Sequence, residues 1–179
     1  MIFILGGCRS GKSVFALKLA ESMKGKKAYL ATGEPLDDEM TERIKRHKKE
    51  RGRVWTAIEE PVNIIDVIKK NEKYDVILLD CLTLWISNLM HEKTGARGEK
   101  HAFHGQGASI EKTIEKFISV CKKTKYNLII VSNEVGLGIV PDNPLARQFR
   151  DMAGYTNQNL AKTADEVYFL VSGIPMRLK

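Results

Sequence analysis

Ile2-Phe3-Ile4-Leu5-Gly6-Gly7-Cys8-Arg9-Ser10-Gly11-Lys12-Ser13 is the stretch that decides the fold. Four β-prone apolar residues lead into Gly6 to Ser13, which satisfies G-x-x-x-x-G-K-[ST]. A helical pattern follows from Ser13 to Met23, with Val14, Phe15, Leu17, Leu19 and Ala20 at its apolar positions. Strand, glycine-rich loop and helix in that order are the context in which the pattern means phosphate binding. Glycines let the backbone turn its N–H groups onto phosphate oxygens, and a helix N-terminus adds its positive end. Lys12 would then reach the β- and γ-phosphates and the Ser13 hydroxyl would ligate Mg²⁺. The structural alternative is a strand-to-helix turn that binds nothing.

A phosphate loop also needs an acid for Mg²⁺ at the end of a neighbouring strand. Val76-Ile77-Leu78-Leu79-Asp80 supplies one, since a carboxylate directly after four aliphatics is hard to bury unpaired. Taken alone, a strand-terminal Asp is as readily a cap. Asn133 and Glu134 follow the apolar run 128–132 and should emerge at the same carboxyl edge, where open α/β sheets bind ligands. Glu134 would either orient an acceptor or water, or stabilise its own loop. Arg147 and Arg150 would either neutralise phosphate charge or lie exposed.

Outward from these anchors, β-rich apolar runs alternate with amphipathic stretches. Strands are expected at 27–32, 54–58, 74–79, 127–132 and 166–171, with a short last one ending at Lys179. Helices are expected from Asp37 to about Arg51, from near Pro61, over 82–90, over 110–123 and over 144–164. The implied class is α/β, a P-loop nucleoside triphosphate hydrolase-like fold, with a mainly parallel sheet and helices on both faces. With no internal repeat or composition break, residues 1–179 read as a single nucleotide-binding domain. Residues 91–107 hold His91, His101 and His104 among glycines, without periodicity. A flexible surface loop suits them better than a metal site, because the spacing is irregular and a ligating carboxylate geometry is lacking.

Composition narrows the function classes. With 43% hydrophobic and 28% charged residues, the chain is an ordinary globular protein. No apolar run spans a bilayer and no signal region precedes the first strand, so the cytoplasm is expected. Cys8, Cys81 and Cys121 form no CxxC pair and are expected reduced. The net charge of +7 suits nucleotides or nucleic acids. Its concentration in Lys45, Arg46, Lys48, Lys49, Arg51 and Arg53 reads as a solvated helix face. Nucleic-acid binding would interleave aromatics, and only Trp55 is near.

GGCRSGKS (6–13), ATGEPLDDEM (31–40), RIKRHKKER (43–51), LLDCLT (78–83), SNEVGLGIVPDNPLARQFRDMAGYTNQNLA (132–161) and ADEVYFLVSGIP (164–175) together resemble the bifunctional adenosylcobinamide kinase/adenosylcobinamide-phosphate guanylyltransferases of cobalamin biosynthesis. The likeness runs end to end except at 91–107, with Cys8 where the family usually has Ala. It implies that ATP or GTP phosphorylates adenosylcobinamide. GTP then guanylylates a histidine, and the GMP passes to adenosylcobinamide phosphate, giving adenosyl-GDP-cobinamide. That histidine would be His47, since Arg46 stands where relatives carry a second one. The likeness also implies nucleotide contacts at Gly6 to Ser13, at Ala31, Thr32 and Gly33, at Lys48, Lys49, Glu50 and Arg51, at Glu59 and at Asp80. A homotrimer is implied as well.

The chemistry of His47 is consistent with that role. A neutral imidazole is a competent nucleophile toward phosphorus, and a phosphoramidate splits one transfer into two steps. Helical spacing puts Met40, Ile44, His47 and Arg51 on one face, and the neighbouring cations would stabilise a transferring phosphate. A lone histidine on a basic helix is equally an ordinary surface residue. Two rival functions remain: a plain P-loop small-molecule kinase using Lys12, Ser13 and Asp80, and a nucleotide-gated binding protein.

Overall fold

The computed structural model describes residues 1–35, 37–50, 54–94 and 107–179. Its strands are β1 (Ile2–Gly6), β2 (Lys27–Ala31), β3 (Trp55–Glu59), β4 (Val76–Asp80), β5 (Asn127–Val131), β6 (Glu166–Val171) and β7 (Ile174–Arg177). Between them run α1 (Lys12–Ser22), α2 (Asp38–Glu50), α3 (Ile64–Lys70), α4 (Leu82–Thr94), α5 (Gly107–Cys121) and α6 (Pro144–Thr163). The strands form one sheet in the order β3-β2-β4-β5-β1-β6-β7. Every pairing is parallel except β6 with β7.

Strand composition explains this order. The aliphatic runs of β1, β4 and β5 are buried along both faces, as central strands of a parallel sheet must be. Side chains alternate between faces. Phe3 and Leu5 therefore join a core with Ile64 of α3, Trp85 of α4, Ile114 of α5 and Leu160 of α6. Ile2 and Ile4 meet Ala16 and Ala20 of α1 on the other side. Helices cover both faces, as expected. Trp85 anchors the larger core: its ring centroid lies 4.8 Å from that of Phe117, and its indole N–H donates to the Val62 carbonyl at 2.8 Å. A buried indole needs that acceptor, and the ring pair adds about 1 kcal/mol beyond area burial.

Several local readings are corrected. In α1 the fully buried positions are Ala16 and Ala20, whereas Val14 is 54% exposed. Two alanines one turn apart let the helix approach the sheet closely, so the larger residues flank the contact. Helix α3 begins at Ile64 rather than near Pro61, because the Glu60 carboxylate accepts from the N–H groups of Val62 and Asn63 and holds them outside it. Of the irregular stretch expected over 91–107, residues 91–94 and 107 are helical, and 95–106 lie outside the described residues. His91 lies on α4, which runs to Thr94, and α5 starts at Gly107. His101 and His104 lie outside the described residues. Helix α6 starts at Pro144 as expected, and the Asn143 side chain caps it, accepting from Leu145 N (2.8 Å) and Ala146 N (3.2 Å).

Candidate functional site

Parallel register brings the functional candidates to one edge. Ala31 pairs with both Glu59 and Asp80, and Asp80 pairs with Val131. Gly6, which ends β1, pairs with Leu170 of β6. The carboxyl ends of β1 to β5 therefore form one rim, with the loops after them on it.

The Gly6 to Ser13 loop is shaped by close contacts. A Cβ on Gly6 would stand 2.5 Å from the Leu170 carbonyl oxygen and 2.7 Å from Ser10 Oγ, so only glycine fits there. Gly11 precedes α1 with φ +91°, a left-handed conformation that favours glycine. The turn between β6 and β7 braces the loop, with Gly173 N donating to Ser10 O at 2.9 Å. Lys12 is nearly buried, and its Nζ donates to Gly7 O at 2.5 Å and to Ser10 Oγ at 3.4 Å. A buried ammonium needs such acceptors. Its charge therefore sits inside the loop, where phosphate oxygens could take the place of those it now uses. Ser13 stands in the first turn of α1, while Cys8 and Arg9 are exposed at the loop's tip.

Across the rim, Asp80 Oδ2 accepts from the Tyr29 hydroxyl at 2.7 Å. Nothing in the sequence pointed to Tyr29. The Thr32 hydroxyl donates to Cys81 O (2.7 Å) and accepts from Cys81 N (3.0 Å), tying the end of β2 to the residue after Asp80. Asn88 Nδ2 donates to Thr32 O at 2.8 Å and to Pro61 O at 3.0 Å. Thr32 is thus committed on both its hydroxyl and its carbonyl. A Cβ added at Gly33 would stand 3.6 Å from Leu84 on α4 and 3.8 Å from Ile44 on α2. At the β3 end, Glu59 pairs with Lys48 of α2 at 2.5 Å, both side chains about half exposed. His47 precedes Lys48 on that helix. The side chains of His47, Lys49 and Glu50, and the whole of Arg51, lie outside the described residues.

The segment after β5 carries three further candidates. Glu134 Oε1 accepts from Gly136 N at 2.7 Å, so this carboxylate stabilises its own loop. Its backbone N–H donates to Gly6 O at 2.9 Å, which fastens that loop to the phosphate loop. Arg147 donates to the carbonyls of Pro141 and Asp142, and Arg150 to that of Gly136. Both arginines staple residues 136–142 in place. Behind them, Ser132 Oγ donates to Asn157 Oδ1 (2.8 Å) and Asn157 Nδ2 donates to Asn133 O (3.2 Å).

As a donor set for Mg²⁺, a hydroxyl and a carboxylate on this rim fit a small hard cation that takes one or two protein oxygens and completes its shell with phosphate and water. Burial pushes the Cys121 thiol and the Tyr126 hydroxyl up, and the N-terminal ammonium holds Asp165 below the usual carboxylate range.

Residues 2–178 match the family described as cobinamide kinase/cobinamide phosphate guanyltransferase. The chain belongs to that family. It is 37% identical to the bifunctional adenosylcobalamin biosynthesis protein CobU of Escherichia coli K12 and 40% identical to that of Salmonella typhimurium LT2. Each comparison covers 100% of this chain and 99% of the relative. The bifunctional adenosylcobalamin biosynthesis protein CobP of Pseudomonas aeruginosa PAO1 is 36% identical, over 98% of this chain and 95% of that one. Among solved structures, a prototypical ATPase from the type III secretion system of pathogenic bacteria aligns with TM-score 0.53 and 13% identity. It covers 95% of this chain, which spans 50% of that ATPase's length. That likeness speaks for the fold alone.

A cobinamide kinase/cobinamide phosphate guanyltransferase is an enzyme with two activities, so the binding-protein alternative falls. The kinase-only alternative falls with it. The α/β, mainly parallel P-loop architecture read from the sequence holds. No helix among the described residues is long and apolar enough to cross a membrane.

Proposed function

We propose that the rim is one nucleotide site serving two transfers, γ-phosphoryl transfer at the Gly6 to Ser13 loop and GMP transfer through His47. In the first, Lys12 exchanges Gly7 O and Ser10 Oγ for phosphate oxygens of ATP or GTP. The hydroxyl oxygen of the adenosylcobinamide side arm attacks the γ-phosphorus, the bond to the β-phosphate oxygen breaks, the nucleoside diphosphate leaves, and the hydroxyl proton passes to water. Mg²⁺ held by Ser13 and Asp80 supplies neutralisation of phosphate charge. In the second, a His47 ring nitrogen attacks the α-phosphorus of GTP and pyrophosphate leaves. A phosphate oxygen of adenosylcobinamide phosphate then displaces the imidazole, giving adenosyl-GDP-cobinamide.

The observation that carries this reading is the Lys48–Glu59 ion pair, because it ties the helix bearing His47 to the same rim as the phosphate loop. Ala31, Gly33, Lys48 to Arg51 and Glu59 would complete the guanine nucleotide's surroundings. We take residues 1–179 as one functional unit, working in the cytoplasm as a homotrimer. The homotrimer rests on family likeness, and sedimentation equilibrium tests it.

The decisive experiment incubates the protein with Mg²⁺ and GTP labelled at the α-phosphate. Label should survive denaturation and be lost in acid, as a phosphoramidate is. His47→Ala should take up none while still phosphorylating cobinamide. Label persisting on His47→Ala would remove the nucleophile assignment.

A further inference from the structure

We propose that Tyr29 is a positioning residue for the Asp80 carboxylate, holding it in the orientation that serves Mg²⁺ and the nucleotide phosphates. The inference rests on the reading of Asp80 as a metal ligand given above. Tyr29 pairs with Leu78 across β2 and β4, so Asp80, two residues further on, is its diagonal neighbour on the same sheet face. Such neighbours are separated by a gap that a long aromatic side chain can bridge. Tyr29 bridges it, with its hydroxyl 2.7 Å from Asp80 Oδ2.

Three features separate this contact from a buried phenol that has merely found an acceptor. The tyrosine is only 3% exposed, so its ring has little freedom to leave the carboxylate. Trp55 braces it edge-on, with ring centroids 6.0 Å apart at 86°, and the Trp55 indole N–H reaches Glu21 of α1 at 3.4 Å. The donor is also a neutral hydroxyl. A lysine or arginine at this place would orient the carboxylate but cancel the charge that a cation needs, whereas a phenol fixes its torsion and leaves the charge. Outer partners of this kind set the geometry of metal-binding carboxylates, and their loss typically weakens metal affinity about 10- to 100-fold.

The test measures Mn²⁺ binding by electron paramagnetic resonance, in the presence of a non-hydrolysable ATP analogue, for wild type, Tyr29→Phe, Asp80→Asn and the double variant. Steady-state kinase activity over a Mg²⁺ titration accompanies it. Tyr29→Phe keeps the ring and its contact with Trp55. It should weaken Mn²⁺ affinity about tenfold and raise the Mg²⁺ concentration needed for half-maximal activity by a similar factor. At saturating Mg²⁺, kcat should stay within about threefold of wild type. In the Asp80→Asn background the same change should have no further effect, because a double-mutant cycle exposes a residue that acts through another. If Asp80→Asn weakens binding and Tyr29→Phe does not, the Tyr29 assignment is overturned and the Asp80 reading stands. Equal losses from Tyr29→Phe in both backgrounds would overturn it too, showing a packing effect. Unchanged affinity in Asp80→Asn would sink the Asp80 reading and this inference with it.

Discussion

Asn157→Asp tests the polar joint behind the phosphate loop with an almost isosteric change. Asn157 is 4% exposed, accepts from Ser132 Oγ at 2.8 Å and donates through Nδ2 to Asn133 O at 3.2 Å. Aspartate keeps the first bond but sets a carboxylate oxygen against the Asn133 carbonyl. As an anion it loses one hydrogen bond, about 1 kcal/mol, and adds a poorly compensated buried charge, typically about 3–5 kcal/mol. Protonation offers an escape, since the neutral acid can donate as the amide did. Holding that proton at pH 7 against an unfolded pKa near 3.9 costs about 1.36 kcal/mol per unit, or about 4 kcal/mol in all. This is a ceiling, because the protein takes the cheaper route. The sign follows directly. The variant's folded-state carboxyl has a raised pKa, so between the unfolded and folded pKa values the native state binds more protons. The deficit relative to wild type therefore grows with rising pH and shrinks below it. Urea unfolding should show a loss of about 3–4 kcal/mol at pH 7, some 6–16 °C in Tm for a chain of this size. The gap should close by about 1.4 kcal/mol per unit as pH falls toward 4. A loss under about 1 kcal/mol at pH 7, or one that ignores pH, would refute the reasoning.

Other outcomes follow from the same contacts. Gly6→Ala should abolish nucleotide binding, read by fluorescence of a labelled ATP analogue, since its Cβ would collide with Leu170 O. Lys12→Met should lower kinase kcat at least about a hundredfold, by analogy with removing one charge-stabilising donor, while circular dichroism stays that of wild type. Lys48→Met should shift the melting point little, because an exposed ion pair contributes about 0–1 kcal/mol, yet slow GMP labelling of the protein. Asp165→Asn removes a carboxylate whose pKa the N-terminal ammonium depresses. Its contribution is present above the unfolded carboxylate pKa and lost as pH falls through the lower folded value. Melting curves should thus show a small deficit at neutral pH that vanishes in strong acid.

Much of the fold was legible because its signals act over a few residues. The G-x-x-x-x-G-K-[ST] spacing between a β-run and a helix pattern is such a signal. So is the aliphatic run ending at Asp80. The errors came where neighbours in space overrule neighbours in sequence. Val14 looks like a core residue in a window of its own helix, yet close approach to the sheet favours Ala16 and Ala20. Residues 91–94 have loop-like composition but continue a helix whose earlier turns are anchored by Trp85 and Ile86.

By itself, then, the sequence determined that this chain folds around a phosphate loop, and its family signature named the two transfers. Tertiary structure alone decided what stands around that loop. Parallel register set Ala31, Glu59 and Asp80 side by side. The Tyr29 hydroxyl met a carboxylate 51 residues away. Glu134, Arg147 and Arg150 each found a hydrogen-bond partner in the loop that follows β5. A hydrogen bond is settled by distances of a few tenths of an ångström between atoms that the chain brings together only once the sheet has formed, and no pattern along the chain encodes them.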